Sequence, residues 1–262
     1  MTAPGTDPST LLSRVTQPWD GVDVVVATSG STSGTGELVG LSLAALTASA
    51  RATLERLGAP GQWLTSLPIH HIAGFQVVAR SALAGIAPQI HSGIPHMLAD
   101  EIARMRTDVP RYLSLVPTQL LRILEEDPTP LTHLDAILVG GAALPAPLAQ
   151  RARDAGVPIT TTYGMTETCG GCVYDGVPLT GVDVTLEDSR VLISGPVLAT
   201  RYLTSSSQPF RTIRGERHLL TSDLGEWRGG RLTILGRADD VIITGGVNVT
   251  PGAVEAELAG TL

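Results

Sequence analysis

Up to Pro178 the chain alternates between short apolar runs and longer segments whose apolar residues recur every three or four positions. "DVVVA" (23–27) reads as a buried strand leading into a glycine-rich loop. "SLAALTASARATLERLG" then carries Leu43, Leu46, Ala50, Leu54 and Leu57 at helical spacing. Ser42 is placed to cap its start and Gly58 to stop it. "QWLTSLP" reads as a strand and "GFQVVARSALAG" as a helix. The pairing recurs in "RYLSLVP" with "TQLLRILEED", and in "LDAILVGGAAL" with "APLAQRARDAG". "PITTTYGMTET" is again a strand running into a loop. This alternation predicts an α/β fold with a mostly parallel sheet and flanking helices. Ligands of such sheets sit beyond the carboxyl ends of the strands. The segments "TSGSTSG", "PIHH", "GGAA" and "YGMTE" all follow predicted strands, so they are expected at one edge.

After Pro178 the texture changes. "VDVTLEDSRVLISG", "HLLTSDLGEWRGGRLTILG" and "DVIITGG" are short β runs between Gly, Asp and Ser turns. They predict a small antiparallel subdomain, and "TPGAVEAELAG" reads as a short helix start. The expected organisation is an α/β core over 1–178, a β-rich subdomain over 179–236, and a hinge with the start of a further domain over 237–262.

Composition narrows the function. Hydrophobic residues make up 43% of the 262, enough for a sizeable core, but aromatics only 3%, so Ala, Leu and Val must pack it. The net charge is −7 and no basic stripe is present, which argues against a nucleic-acid partner. Every cationic side chain is arginine; the sequence contains no lysine. The N-terminus has no basic start followed by an apolar stretch, and no run approaches the ~18 apolar residues of a membrane span. A cytoplasmic location is expected. Cys169 and Cys172 form a CxxC pair, read either as two small residues in a Gly-rich turn or as a redox or half-zinc motif. His91 and His96 are the other ligand-like pair. Asn248 with Thr250 also spells a glycosylation acceptor, without meaning in a cytoplasmic chain.

The loop "ATSGSTSGTGELVG" (27–40) looks built to wrap a phosphate, yet it offers Glu37 where phosphate loops usually carry lysine. It matches neither the G-x-x-x-x-G-K-[ST] loop nor the dinucleotide fingerprint. By itself it reads better as a bare Gly/Ser connector, although backbone N–H groups in such a loop can cradle a polyphosphate.

Its company changes that reading. "TSGSTSG", "PIHHIAG", "YGMTET", "SDLGEW" and "GRADDVIITGGVNVTPGAVE" occur in this order over most of the chain, from Val24 to Leu258. Together they resemble the acyl-adenylate-forming ligases, and the version with "GQWLTSLPIHHIAG" and "YGMTETCGGCVYDG" is most similar to the o-succinylbenzoate–CoA ligases of menaquinone synthesis. The resemblance implies the large N-terminal domain of that family. It also implies two half-reactions. A carboxylic acid attacks the α-phosphorus of ATP to give acyl-AMP and pyrophosphate, and coenzyme A then displaces AMP. The implied co-substrates are ATP with Mg²⁺, the acid and CoA; a homodimer is left open. Another aryl or fatty acid as substrate, or a non-catalytic nucleotide-binding remnant, are the alternatives.

Residue by residue, the resemblance places Thr28, Ser29, Gly30, Ser31 and Thr32 at the β- and γ-phosphates. Pro68, His71 and Gly74 match P-x-x-H-x-x-G, which puts His71 beside the reacting carboxylate in the acyl pocket, with His70 as the neighbouring alternative. Gly140, Gly141 and Ala142 would admit a flat adenine or the acyl group. Tyr163 and Gly164 would face the adenine, Thr166 the α-phosphate, and Glu167 would ligate Mg²⁺, an oxygen donor for a hard cation. Asp223 would accept the ribose hydroxyls, Arg237 would reach ribose or phosphate, and Asp239 would be a domain hinge.

The sequence departs from the family pattern twice. The phosphate loop T-S-G-S-T-G-x-P-K becomes "TSGSTSGTGE", with Ser33 inserted, Gly36 in the proline's place and Glu37 in the lysine's. Glu37 is expected to turn outward into solvent, leaving a weaker but workable phosphate loop. The family's C-terminal domain, with its adenylation lysine and part of the CoA tunnel, does not follow Asp239 in these residues. Slow turnover is the expectation, whether the shortening is natural or a truncation.

Overall fold

The structure is a computed structural model and describes residues 13–28, 36–90, 98–240, 242–244 and 247–249, the last two segments as backbone only. The chain opens on strands β1 (Val24–Ala27) and β2 (Leu38–Leu41), then helix α1 (Leu43–Leu57). The expected cap is in place: Ser42 Oγ accepts from the Ala45 amide at 3.1 Å. At the other end Gly58 turns left-handed at φ 91° and donates its amide to Leu54 and Glu55. β3 (Gln62–Thr65), α2 (Ile72–Ala84), β4 (Gln89–Ile90), α3 (Leu98–Ala103), β5 (Arg111–Leu115), α4 (Pro117–Glu126), β6 (Ala136–Val139), α5 (Ala146–Asp154), β7 (Ile159–Met165), β8 (Gly170–Tyr174) and β9 (Val177–Pro178) follow.

Seven strands form one sheet in the order β4-β3-β5-β6-β7-β8-β9. It is parallel from β4 to β7 and antiparallel thereafter. β3 and β6 are buried at every position, as a sheet covered on both faces requires. Leu64, Leu113, Ile137 and Val139 point to the face covered by α3, α4 and α5. Trp63, Tyr112, Ala136 and Leu138 point to the face covered by α1 and α2. The period of two along each strand thus sorts one apolar run into two cores.

One strand expectation is corrected. Val24–Ala27 is not part of the parallel sheet; it pairs antiparallel with β2, Val25 opposite Gly40 and Ala27 opposite Leu38. The reason is connection length: the glycine loop returns the chain as a hairpin, whereas parallel pairing needs a crossover of a dozen or so residues.

The β-rich part consists of β10 (Asp183–Glu187), β11 (Arg190–Ser194), β12 (Arg201–Tyr202), β13 (Phe210–Ile213), β14 (Glu216–Arg228) and β15 (Arg231–Arg237). Five of these form the expected antiparallel sheet, β10-β11-β14-β13 with β15 on β14. β12 leaves it and returns to β2, pairing Arg201 with Gly40 and Tyr202 with Val39. A short hairpin, β16 (Ile242–Thr244) with β17 (Val247–Val249), lies within "DVIITGGVNV". The expected helix start in "TPGAVEAELAG" and the pair His91 and His96 lie outside the described residues.

The core between α1, α2 and the sheet holds an unusual guest. Arg80 is 4% exposed, lies 4.9 Å over the Trp63 ring, and donates to the Tyr174 hydroxyl at 3.4 Å. Its Nε has no hydrogen-bond partner among the described residues, and burial lowers its pKa.

Candidate functional site

Three loops with expected site residues leave the carboxyl ends of β3, β6 and β7, the end where parallel sheets bind ligands. After β6, Gly140 packs against β7 so closely that a Cβ there would lie 2.2 Å from Thr162 Oγ1. Gly141 follows at φ 81°, a left-handed turn that glycine adopts without strain. After β3, Gly74 sits where a Cβ would meet the Pro68 carbonyl at 2.4 Å and the Leu67 carbonyl at 2.7 Å. Its lack of a side chain lets α2 lie directly on the Pro68 segment. That packing role accounts for the spacing from Pro68 to Gly74, whatever else Gly74 does. His71 opens α2 in extended conformation with no side-chain cap. The His70 and His71 rings stand 4.4 Å apart. Partial desolvation and then the neighbouring His70 lower the His71 pKa, so the neutral imidazole is favoured.

β7 carries Tyr163 and Gly164, and the short turn after it carries Thr166 and Glu167. A Cβ at Gly164 would meet the Gly170 carbonyl at 2.2 Å, so the residue is fixed by β8 crossing beside it. Tyr163 Oη donates to Asp223 Oδ2 at 2.7 Å. Burial, then the Asp223 charge, push the phenol well above its ordinary pKa, so it stays a donor. Asp223 lies on β14; its amide is held by Thr221 Oγ1 at 3.0 Å. Its other oxygen, Oδ1, faces Arg237 Nη1 at 3.9 Å, and Arg237 also reaches Asp239 Oδ2 at 3.3 Å. Tyr163, Asp223, Arg237 and Asp239 therefore form one chain of contacts across the junction of the two sheets.

Glu167 is 8% exposed. Its Oε1 accepts from the Tyr202 hydroxyl at 2.5 Å, and its carbonyl accepts from the Ala199 amide at 2.8 Å. Burial first, then Glu167 and Glu37, raise the Tyr202 pKa, while Arg237 offsets part of the rise. Through Tyr202 the electrostatics bring Glu167, Glu37 and Arg237 into one neighbourhood. The donor chemistry at Glu167 suits Mg²⁺. Among the described residues no group of three or more His, Cys, Asp or Glu could hold a metal. A cation here would take Glu167 as one ligand and complete its shell with phosphate oxygens and water.

The phosphate loop itself is described only at its base. Ser29, Gly30, Ser31 and Thr32 lie outside the described residues. Thr28 and Glu37 close the loop: the Thr28 amide donates to the Glu37 carbonyl at 2.9 Å, and the Glu37 amide to Thr28 Oγ1 at 2.9 Å. Gly36 packs on Thr28 where a Cβ would overlap its carbonyl. The outward turn expected of Glu37 is not what occurs. The residue is half-buried and its carboxylate accepts the hydroxyl of Thr204. The return of β12 to β2 brings Thr204 to Glu37, a partner that no local pattern announces.

Tyr202 and Thr204 are thus the neighbours of the site that sequence reasoning missed. Ala142 lies in the turn after Gly141, exposed. Cys169 and Cys172 are both free and buried, and burial raises each thiol to about 12. Burial and raised pKa favour a packing role over a redox or zinc role, although only Cys169 sits at a turn; Cys172 lies within β8. No helix among the described residues is long and apolar enough to cross a membrane.

Comparisons with known proteins find relatives of this chain in sequence and in fold. The family model described as AMP-binding enzyme matches residues 8–201. A protein of Mycobacterium tuberculosis (strain H37Rv) named "Probable 2-succinylbenzoate–CoA ligase" is 45% identical over 250 residues, covering 91% of this chain and 64% of its own. The 2-succinylbenzoate–CoA ligase of Escherichia coli is 33% identical over 222 residues, covering 81% of this chain and 47% of its own. Among solved structures, o-succinylbenzoate CoA synthetase from Bacillus subtilis in complex with the acyl-adenylate intermediate OSB-AMP matches with a TM-score of 0.82 at 28% identity. That match covers 93% of this chain and 55% of that one. The same enzyme in complex with ATP and magnesium ion gives 0.79 at 27% identity, covering 93% and 56%. The chain spans less than two thirds of the length of each of these relatives.

Proposed function

The chain belongs to the AMP-binding enzyme family, and from that premise we propose that it binds ATP with Mg²⁺ and takes part in converting a carboxylic acid to its acyl-adenylate and then to a CoA thioester. The proposed acid is o-succinylbenzoate, supported by the names of the relatives. The observation that carries the nucleotide reading is the contact chain Tyr163–Asp223–Arg237 beside the Tyr202–Glu167 pair. It supplies an aromatic ring, a carboxylate with one oxygen facing a cation, and a buried oxygen ligand in one place.

The roles follow from the chemistry of each group. Tyr163 offers a flat face to adenine, with its hydroxyl fixed by Asp223. Asp223 accepts from ribose hydroxyls; Arg237, with its forked donors, reaches ribose or phosphate. Gly140, Gly141 and Ala142 add no bulk between the ring and the backbone. Thr166 presents a hydroxyl to the α-phosphate, and Thr28 to Thr32 surround the β- and γ-phosphates. His71, neutral at its lowered pKa, lines the acyl end with His70. The cation held at Glu167 would neutralise phosphate charge; the chain's own groups bind and orient the reactants. Asp239, paired with Arg237, is the proposed hinge.

Calorimetry with ATP·Mg²⁺ and a panel of acids tests the reading. The expected result is ATP binding, with o-succinylbenzoate binding more tightly than benzoate or a medium-chain fatty acid. Nucleotide binding with preference for a different acid would keep the family chemistry and replace the substrate. No nucleotide binding would remove the proposal.

A further inference from the structure

We propose that Tyr202 is a positioning residue for Glu167: its hydroxyl fixes Oε1, leaving Oε2 as the oxygen offered to the divalent cation that accompanies ATP. The inference rests on the nucleotide reading above and assigns a function to a residue outside every motif that carried it.

The contact has the form of a charge-assisted bond. Oη and Oε1 are 2.5 Å apart, within the short range expected when a hydroxyl meets an ionised carboxylate. Glu167 has no ion pair among the described residues, so the phenol is the group that holds this buried charge in place. Its Oε2 accepts no hydrogen bond among the described residues.

Both ends of the bond are rigidly mounted. Tyr202 is paired with the fully buried Val39 in the β12–β2 ladder. The Gln208 side chain clamps its backbone on both sides, Oε1 accepting from the Tyr202 amide at 2.8 Å and Nε2 donating to its carbonyl at 3.1 Å. The Glu167 carbonyl takes the Ala199 amide at 2.8 Å. Ala199 and Tyr202 belong to the same short segment, so the turn carrying Glu167 and the segment carrying Tyr202 are joined at two points. A carboxylate hinged about χ3 presents either oxygen in turn; one tied at Oε1 presents the other in a fixed direction. Such outer partners of a metal ligand typically change metal affinity 10- to 100-fold when removed. Packing alone would be served by the ring, without the hydroxyl.

Tyr202→Phe removes the hydroxyl and keeps the ring. ATP affinity is measured by calorimetry across a Mg²⁺ series, and AMP affinity in EDTA. Mn²⁺ uptake with ATP present is followed by electron paramagnetic resonance. In the variant the Mg²⁺ needed for half-maximal ATP binding is expected to rise about tenfold, Mn²⁺ uptake to weaken in parallel, and metal-free AMP binding to stay the same. On a Glu167→Gln background the tyrosine change is expected to add nothing. A variant that follows the parent through the metal series overturns the proposal. So does equal loss of metal-free AMP binding, which would make Tyr202 a part of the scaffold only. If the parent binds neither ATP nor AMP, the nucleotide reading fails first and the proposal with it.

Discussion

Tyr163 donates its phenolic hydrogen to Asp223 Oδ2 at 2.7 Å across 60 residues of sequence. The donor ends the parallel run of the seven-stranded sheet, and the acceptor lies in the antiparallel sheet. The bond therefore ties the two sheets together. It also divides the labour of one carboxylate: Oδ2 is held by the phenol, while Oδ1 faces Arg237 at 3.9 Å. The carboxylate's direction is set before a ligand arrives, which is what preorganised binding requires.

Tyr163→Phe is expected to lower stability by about 1–3 kcal/mol, the usual cost of leaving a largely buried acceptor unpaired. Urea unfolding of parent and variant measures it. Nucleotide affinity is expected to fall as well, because Asp223 loses the group that orients it. Unchanged stability would mean that water replaces the phenol and that the two sheets are held by packing alone.

Much of this arrangement is legible in local pattern. Ser42 and Gly58 bracket α1 as their chemistry predicts, and the small residues at Gly140 and Gly141 mark a real close approach and a real left-handed turn. What local pattern does not carry is pairing at a distance. β1 looks like the first strand of a parallel set, but the short glycine loop makes it a hairpin with β2. Glu37 looks like a free surface carboxylate, but Thr204, 167 residues away, takes it inward. Tyr202 has no motif around it and finds Glu167 across 35 residues. The failures at Glu37 and Tyr202 share a cause: the partner is delivered by β12 returning to β2, a topological event with no periodicity of its own.

Gly140→Ala is expected to destabilise by about 1–3 kcal/mol, since an added methyl in a packed site forces shifts of this order. The clash is specific: the new Cβ would fall 2.2 Å from Thr162 Oγ1 and 3.0 Å from the Thr162 carbonyl. The double variant Gly140→Ala with Thr162→Ala removes the nearer atom, so it is expected to recover part of the loss. Chemical denaturation of the single and double variants decides it; equal losses would place the strain in the backbone instead.

The buried thiols make stability fall in alkali. Burial raises Cys169 and Cys172 from the ordinary 9.0 to about 12. Below about pH 8.5 both folded and unfolded chains keep these protons, and stability is at its full value. As pH rises from there toward 12, the unfolded chain loses them first and the folded state loses ground. The slope is up to about 1.4 kcal/mol per pH unit for each thiol. Tyr163 and Tyr202, also raised, add to the loss only above about pH 10, so the window below that belongs to the cysteines. Denaturation midpoints between about pH 8.5 and 10 are expected to fall in the parent and to flatten in Cys169→Ala with Cys172→Ala. In the folded parent at neutral pH both thiols are expected to resist a disulfide reagent that titrates them fully after unfolding.

Glu37 gives the sharpest electrostatic prediction, because its side chain is not solvated as an isolated surface charge would be. Thr204 holds it at the base of the phosphate loop, in the neighbourhood of Tyr202 and hence of Glu167. A nucleotide placing its terminal phosphates here meets two carboxylates and no lysine. Glu37→Lys replaces repulsion by attraction, and the gain is limited by solvent and by losing the Thr204 contact. The expected outcome is ATP affinity tightened roughly tenfold, about 1.4 kcal/mol, and shrinking as salt is raised. AMP, which lacks the β- and γ-phosphates, is expected to bind both proteins alike. Calorimetry with the two nucleotides at low and high salt separates the cases. Equal tightening of AMP would put Glu37 beside the α-phosphate, and no tightening of either would put it away from the phosphates altogether.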